Sequence, residues 1–277
     1  MGKRIDAHHH LWRYSADEYG WIDETMIALQ RDFLPSDLTT EMRAAGVDGA
    51  IAVQARQTLE ETRWLLEMAE QNDVISGVVG WAPIASERFA ASLEEFRDRS
   101  KLKGLRHVVQ AEPDDYYLLR EDFNRGISGL HETGLVYEVL IYERHLPQAI
   151  EFVDRHPNQA FVLDHIAKPR IRDGVLEPWA TRVRELAKRE NVSCKVSGVV
   201  TEADWQGWTL EGIRPYLDVV AEEFGPQRMM AGSDWPVCLV ASGYARWFGV
   251  LEEYFAGFST QDREAVFGGN AVRVYGL

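Results

Sequence analysis

A chain of 277 residues, 45% of them hydrophobic and 27% charged, has the composition of an ordinary globular protein and is long enough to bury a large core. Its net charge of −14 argues against nucleic acid or an anionic membrane surface as a partner, because both need clustered lysine and arginine. No apolar run approaches the roughly 20 residues that cross a membrane, no signal peptide is recognisable, and Cys194 and Cys238 form no CxxC pair, so a cytoplasmic protein with reduced thiols is expected.

Short apolar runs alternate with longer amphipathic ones along the chain, and the apolar runs have the Val, Ile, Leu and Met content of parallel strands buried on both faces. Eight strands are predicted, at residues 3–10, 49–54, 76–81, 104–109, 135–142, 160–165, 192–197 and 228–234. The predicted helices begin at Ser36 and continue at residues 59–71, 87–99, 122–132, 146–155, 178–189, 210–223 and 242–255. Eight such units predict a (β/α)8 TIM barrel, and we expect residues 1–277 to form one domain. The alternative, an open doubly wound sheet, is less favoured because no G-x-G-x-x-G turn is present.

The first predicted strand ends in two histidines, His8 and His10, separated by one residue. Residues i and i+2 of a strand point to the same face, so we expect both imidazoles on one side and His9 on the other. Imidazole is the usual neutral ligand of zinc and the usual acid–base group near neutral pH. A purification-tag remnant and a pair of solvated histidines are the alternatives, and the native-looking residues around the histidines argue against the first.

Chemistry in TIM barrels takes place at the carboxyl ends of the strands. Polar or aromatic residues fall at that end of nearly every predicted strand, namely His8, His10, Gln54, Trp81, Arg106, His107, Tyr142, His165, Lys195 and Asp234. Scattered surface residues would not all fall at one end, so the barrel mouth is predicted to be functional. Several of these residues also have a structural alternative: Asp234 could cap a turn, His165 could be a core histidine and Lys195 could extend harmlessly to solvent.

The motifs at these strand ends resemble those of the amidohydrolase superfamily, through His8-x-His10, His165 and Asp234. A finer set resembles its branch of lactone hydrolases, which includes L-fuconolactonases, L-rhamnonolactonases and pyrone-dicarboxylate lactonases. That set comprises residues 6–12 (DAHHHLW), 53–55 (VQA), 104–107 (GLRH), 164–169 (DHIAKP), 195–198 (KVSG), 232–236 (GSDWP) and 269–271 (GNA). The resemblance runs from residue 4 to residue 277, and Arg106-His107 followed by QAEP at 110–113 looks most like the sugar-lactone members.

The resemblance implies a small-molecule substrate, a sugar lactone such as L-fuconolactone, which is hydrolysed to its aldonic acid. Asp234 would activate the attacking water, and His8, His10 and His165 would donate hydrogen bonds to the carbonyl oxygen. The residues expected to hold the substrate are Arg106, His107, Trp81, Gln54, Tyr142 and Lys195.

Members of this superfamily often hold a divalent metal, with a histidine or lysine from strands four and five among the ligands. The predicted fifth strand, residues 135–142, contains no histidine. His8, His10 and Asp234 could still supply the three protein ligands that a catalytic zinc takes. Because metal can be dispensable in the lactonase branch, we expect no required cofactor, with zinc or another divalent metal able to bind these three residues.

Three other functions stay open at this point. A metal-dependent amidohydrolase or decarboxylase could act on a small aromatic or cyclic acid with the same fold. A ring-opening hydrolase of aromatic catabolism would need several arginines for a dicarboxylate, and the mouth offers Arg106 and at most Arg56. A non-catalytic binding barrel would not need a general base. The sequence also leaves open the particular lactone, the oligomeric state (a homo-oligomer included) and whether the aromatic loop at 12–33 closes over the mouth.

Overall fold

The computed structural model describes residues 2–277 and contains a sheet of eight parallel strands in sequential order. The strands are β1 (Ile5–His9), β2 (Gly49–Val53), β3 (Ile75–Gly80), β4 (Leu102–His107), β5 (Val136–Val139), β6 (Phe161–Leu163), β7 (Val192–Val196) and β8 (Met229–Ala231). All eight correspond to predicted strands, and each ends before its predicted carboxyl boundary. The reason is that several polar residues predicted on strand ends, including Tyr142, His165 and Asp234, lie in the loops that leave the sheet.

The sheet closes on itself between its last strand and its first. Beyond the end of β8, the amide of Asp234 donates to the carbonyl of His8 over 2.8 Å, and the amide of His10 donates to the carbonyl of Trp235 over 2.6 Å. These bonds complete the ring of strands, so the predicted (β/α)8 TIM barrel is confirmed. They also place His8, His10 and Asp234 side by side through the backbone alone.

Helices follow the strands as the barrel requires. They are α1 (Pro35–Ala45), α2 (Leu59–Gln71), α3 (Phe89–Glu94), α4 (Glu121–Leu130), α5 (Leu146–Arg155), α6 (Trp179–Ala187), α7 (Leu210–Phe224) and α8 (Tyr244–Tyr254), with α9 (Thr260–Glu264) and α10 (Asn270–Tyr275) at the C-terminus. The prediction of a helix over 87–99 is too long, because beyond α3 the chain continues in turns closed by bonds between residues three apart. Among residues 2–277, none of the helices has the length and hydropathy that a membrane span requires.

The last helix, α10, closes the amino-terminal end of the barrel. Its residues Ala271 and Tyr275 are buried in the apolar cluster that fills the lower barrel, together with inward-facing strand residues such as Ile5 and Val79. Lys103, at the start of β4, donates to the carbonyl of Gly276 over 3.0 Å. The C-terminus therefore packs against the face opposite to the one where the chemistry is expected.

A β-bulge in β1 aims the paired histidines into the barrel. Asp6 pairs with Ala50 and His9 pairs with Ala52, so β1 has one residue more than β2 between these points. The carboxylate of Asp6 accepts the amide of His8 over 3.0 Å and stabilises the bulge. An extra residue exchanges the faces that follow it, so Ile5 and Ala7 face the barrel interior before the bulge, and His8 and His10 face it after the bulge. His8 and His10 share a side, as predicted.

The third histidine of the triplet, His9, lies on the opposite face of β1 and is fully buried. Burial lowers the pKa of His9 from its ordinary value of 6.5 to about 3. As the pH falls below 6.5, the unfolded chain takes up a proton at this position, whereas the folded chain does not until about pH 3. Acid therefore favours unfolding within this pH window.

Between pH 7 and pH 5, His9 should lower the free energy of unfolding of the parent protein by about 2 kcal/mol. We expect the substitution His9→Leu to remove this part of the loss. Urea unfolding at both pH values measures this difference. His131 is exposed, so His131→Leu is the matched control and should leave the loss unchanged. An equal loss in the His9→Leu variant and the parent protein would show that His9 does not cause the acid sensitivity.

The aromatic loop after β1, residues 12–33, packs on the barrel. Trp12 and Phe33 exchange two backbone hydrogen bonds of 3.0 and 2.9 Å at the base of the loop. The rings of Tyr19 and Phe33 lie 5.6 and 5.4 Å from that of Trp12, and Phe33 in turn contacts Trp235 at 5.1 Å. The base of the loop is therefore part of the core.

Candidate active site

The hydrogen-bond partners of His10 and His8 restrict which of their ring nitrogens carry the hydrogen. His10 Nδ1 lies 2.8 Å from the carbonyl oxygen of Val53 and donates to it, since a carbonyl only accepts. In its neutral form His10 therefore has an unprotonated Nε2, which lies 3.3 Å from His8 Nε2. On its other side, His8 Nδ1 lies 3.1 Å from the ammonium of Lys195. His8 Nδ1 also lies 3.5 Å from Asp164 Oδ1, and His8 Nε2 lies 3.2 Å from Arg106 Nη1. Each ring nitrogen of His8 thus faces one donor and one acceptor, and one of its two tautomers is satisfied when Lys195 donates to Nδ1 and Nε2 donates to His10 Nε2.

Asp234 faces three imidazoles from the loop after β8. Its Oδ1 lies 3.4 Å from His10 Nε2, 3.8 Å from His8 Nε2 and 3.9 Å from His165 Nε2. Burial alone would raise the pKa of Asp234, but His165, His10 and Lys168 outweigh it, and the pKa lies below its ordinary value. Asp234 is thus a carboxylate at neutral pH and can accept a proton from water.

His165 stands on a turn with an unusual backbone. The four residues 165–168 include no glycine, yet all have positive φ, at 52°, 49°, 61° and 48°. The left-handed conformation costs about 1–2 kcal/mol per residue, so the surroundings must hold it. Trp179 Nε1 donates to the carbonyl of Ile166 over 2.7 Å, and His165 Nδ1 lies 2.9 Å from the hydroxyl of Ser197.

The imidazoles of His8 and His165 are neutral at pH 7. Burial lowers the pKa of His165 to about 4, and burial together with Lys195 lowers the pKa of His8 well below its ordinary range. When the Ser197 hydroxyl donates to His165 Nδ1, the hydrogen on Nε2 faces Asp234. Two neutral imidazoles and one carboxylate therefore converge at the carboxyl end of the barrel.

Beneath His8 lies a buried network of four charged side chains: Arg106, Glu138, Asp164 and Lys195. Lys195 Nζ donates to Glu138 Oε1 over 2.5 Å and lies 3.3 Å from Asp164 Oδ1. Arg106 Nη1 donates to Asp164 Oδ2 over 2.9 Å and lies 3.2 Å from His8 Nε2. Two positive and two negative formal charges balance in this network, and burial together with Asp164 raises the pKa of Glu138 to about 7. Lys195 is fully buried and contacts His8, so the structure does not place its ammonium at the open mouth, where a substrate contact was expected.

Gln54 holds Arg106 in place. The Nη2 group of Arg106 donates to the side-chain oxygen of Gln54 over 3.2 Å and to its backbone carbonyl, while Gln54 Nε2 donates to the carbonyl of Arg106 over 3.3 Å. Gln54 is fully buried, and 3% of Arg106 is exposed. Gln54 therefore orients the guanidinium of Arg106, which lies at the base of the mouth.

The side chains of Trp81 and His107 form a hydrogen bond with each other. Trp81 Nε1 donates to His107 Nδ1 over 3.3 Å, and His107 Nε2 lies 2.6 Å from the carboxylate of Glu112. The His107 ring stacks on Tyr117 with centroids 4.6 Å apart. Both ring nitrogens of His107 have partners within the protein, so a polar contact to substrate would need one of these bonds to break.

The predicted contact Tyr142 lies at the edge of the mouth in a loop after β5, beside a residue that the sequence interpretation did not single out. The ammonium of Lys168 lies 5.6 Å from the Tyr142 ring and 3.7 Å from Glu202 Oε1. The charge of Lys168 also lowers the pKa values of His165 and Asp234. Lys168 and Glu202 therefore belong to the surroundings of the carboxylate.

Two overlapping groups of residues could hold a divalent ion: the predicted His8, His10 and Asp234, and also His8, Asp164 and His165. The ligand atoms of His8, His10 and Asp234 lie within 4.8 Å of one another, and three ligands with an open position suit a catalytic zinc. The residue types and separations fit an ion. To become a ligand, His8 Nε2 has to be free of hydrogen, with the ring hydrogen on Nδ1, where Lys195 Nζ lies 3.1 Å and Asp164 Oδ1 3.5 Å away.

The chain matches the family model described as amidohydrolase over residues 5–277. It belongs to the amidohydrolase family. Among the curated proteins, this amidohydrolase is 42% identical to an L-fucono-1,5-lactonase of Burkholderia multivorans, with 99% of this chain and 96% of that protein covered. It is 36% identical to an L-fucono-1,5-lactonase of Burkholderia ambifaria, over 99% of this chain and 96% of that protein.

A solved structure confirms the fold of this amidohydrolase over its full length. It is a crystal structure of an amidohydrolase from Burkholderia multivorans with bound zinc, which is 42% identical, covers 100% of both chains and has a TM-score of 0.96. The resemblance to the amidohydrolase superfamily and its lactonases, read from the strand-end motifs, is therefore confirmed.

Proposed function

We propose that this amidohydrolase hydrolyses a sugar lactone of the L-fucono-1,5-lactone type to its aldonic acid. Two relatives at 42% and 36% identity carry that activity in their names, and both match nearly the whole chain. The observation that supports the chemistry is the position of the Asp234 carboxylate, 3.4–3.9 Å from three imidazole nitrogens at the carboxyl end of the barrel. A decarboxylase of small aromatic acids, the alternative from the sequence, is not favoured, because these two relatives are lactonases.

In the proposed reaction a water molecule lies between Asp234 Oδ1 and the unprotonated Nε2 of His10. Asp234 takes its proton, and the oxygen attacks the lactone carbonyl carbon. The N–H groups of His8 and His165 donate to the carbonyl oxygen as it becomes an oxyanion, and such donors are worth about 3–4 kcal/mol each. The ring C–O bond then breaks, and Asp234 returns the proton to the ring oxygen, which leaves as a hydroxyl group.

This scheme changes the role expected of His10. The sequence interpretation made it a third donor to the carbonyl oxygen, but its Nδ1 hydrogen is bound to Val53. In its neutral form His10 can only accept at Nε2, so we assign it to the water. Arg106 and Tyr142 remain the proposed contacts to ring hydroxyls, and Lys168 and Glu202 join them because they lie beside Tyr142 at the mouth.

We propose that the reaction needs no metal. If an ion bound to His8, His10 and Asp234, it would polarise the carbonyl and lower the pKa of a water molecule. The zinc in the related structure belongs to that protein. In this chain the ammonium of Lys195, 3.1 Å from His8 Nδ1, competes with Asp164 Oδ1 at 3.5 Å for that nitrogen and disfavours the tautomer that an ion requires. We also propose a cytoplasmic location for the enzyme.

A pH-indicator assay on a panel of aldonolactones, including L-fucono- and L-rhamnonolactone, tests both parts of the proposal. Each lactone is assayed with enzyme as purified, with enzyme stripped by chelator, and with stripped enzyme plus zinc. We expect rapid turnover of at least one sugar lactone, unchanged by stripping. Turnover that disappears on stripping and returns with zinc would keep the lactonase and overturn the metal-free mechanism. No turnover of any lactone would overturn the function itself.

A further inference from the structure

The buried charge network beneath His8 is completed by a residue from the opposite end of the barrel. Tyr275, in α10, lies below the strands, and its hydroxyl donates to Glu138 Oε1 over 2.5 Å. Lys195 donates to the same oxygen over 2.5 Å, and its ammonium lies 5.7 Å from the Tyr275 ring. The hydroxyl of Tyr275 is thus connected to His8 through two side chains, Glu138 and Lys195.

We propose that Tyr275 is a positioning residue for the reaction: its hydroxyl fixes Glu138, Glu138 fixes Lys195, and Lys195 holds His8 with its hydrogen on Nε2. The proposal rests on the proposed lactone hydrolysis, in which that hydrogen is donated to the carbonyl oxygen.

Loss of the Tyr275 hydroxyl allows the buried groups of the network to move. Glu138 Oε1 receives both of its hydrogen bonds from Tyr275 and Lys195, while Glu138 Oε2 has no partner within residues 2–277. Without the hydroxyl, the Glu138 carboxylate can rotate and present either oxygen to Lys195. The ammonium of Lys195 has a second acceptor in Asp164 Oδ1, 3.3 Å away. A move towards Asp164 weakens the bond from Lys195 to His8 Nδ1. The other tautomer, in which His8 Nδ1 donates to Asp164 Oδ1 at 3.5 Å and Nε2 accepts from Arg106 at 3.2 Å, then becomes populated.

The test compares Tyr275→Phe with Tyr254→Phe. Tyr254 is the matched control, because its hydroxyl also donates to a carboxylate, that of Asp218 at 2.8 Å, in a part of the chain outside the site. Both variants lose one hydroxyl and one hydrogen bond. With the preferred lactone and chelator-stripped enzyme, we expect Tyr275→Phe to lower kcat about tenfold with little change in KM, and Tyr254→Phe to change neither. Equal kcat values in the two variants would overturn the proposal.

Nitrogen-15 NMR of histidine-labelled protein gives a second measurement that does not depend on activity. We expect His8 to be protonated at Nε2 in the parent protein and in Tyr254→Phe, and to show a mixture of tautomers in Tyr275→Phe. An unchanged His8 spectrum in Tyr275→Phe would overturn the proposal even if stability fell. A parent protein that hydrolyses no lactone but shows the expected spectra would overturn the proposed function and keep the positioning by Tyr275.

Discussion

Replacing Asp234 by asparagine is expected to lower kcat on the preferred lactone by about a thousandfold, because the amide cannot accept a proton from water. The two side chains have nearly the same shape. Asparagine also tolerates the left-handed backbone that Asp234 adopts at φ +57°, so the fold should survive. Steady-state kinetics together with thermal unfolding measure the two effects separately.

The control for this variant is Asp218→Asn, which removes a carboxylate outside the site. It should leave kcat within about twofold of the parent value, since surface substitutions away from a site have small effects. If Asp234→Asn retained most of its activity with an intact fold, another group would have to be the base, and the scheme built on Asp234 would be wrong.

A single methyl group added at Gly198 is expected to lower activity by about a hundredfold or more. The residue follows β7 with φ +61°, and a Cβ built there would lie 2.6 Å from Nδ1 and 2.7 Å from Cγ of His165. Real Cβ atoms do not approach so closely, so the imidazole must shift, and a shift of about 1 Å in a reacting group can reduce the rate by that factor. The substitution Gly198→Ala therefore tests the position of His165.

The chain offers a closely matched control for this variant in Gly174, which has φ +66° and no atom within 4 Å of a built Cβ. Gly174→Ala carries the same left-handed backbone penalty of about 1 kcal/mol without the collision. We expect both variants to lose stability in urea and only Gly198→Ala to lose activity. Equal kinetics in the two variants would mean that His165 is not needed where the structure places it.

The fold could be predicted from the sequence because strand and helix patterns depend mainly on local composition. β2 and α2 begin where predicted, since a run of small and branched residues and a Thr58 cap define them locally. The bulge in β1 could not be predicted, because it depends on the register with β2 and on Asp6. The predicted strand ends were too long where Tyr142, His165 and Asp234 leave the sheet to reach the mouth.

The residues of the candidate site could be predicted from the sequence better than their individual roles. His8, His10, His165 and Asp234 are brought together as expected, since strand ends of a barrel converge. That His10 faces Val53 and that Lys195 faces Glu138 depends on side-chain directions across different strands, which no local pattern contains. Tyr275 and Lys168 were missed for a similar reason: a tyrosine in a C-terminal helix and a lysine after a histidine look like ordinary surface residues.

The left-handed turn at residues 165–168 has a consequence for the size of protein that can carry this site. Four such residues together cost on the order of 4–8 kcal/mol, an amount comparable with the whole folding free energy of a small domain. A short peptide with this sequence would not adopt the turn, so the position of His165 exists only in the assembled barrel. A catalytic group held this way needs a large cooperative scaffold around it, and the many small elements of the barrel that never contact substrate provide it.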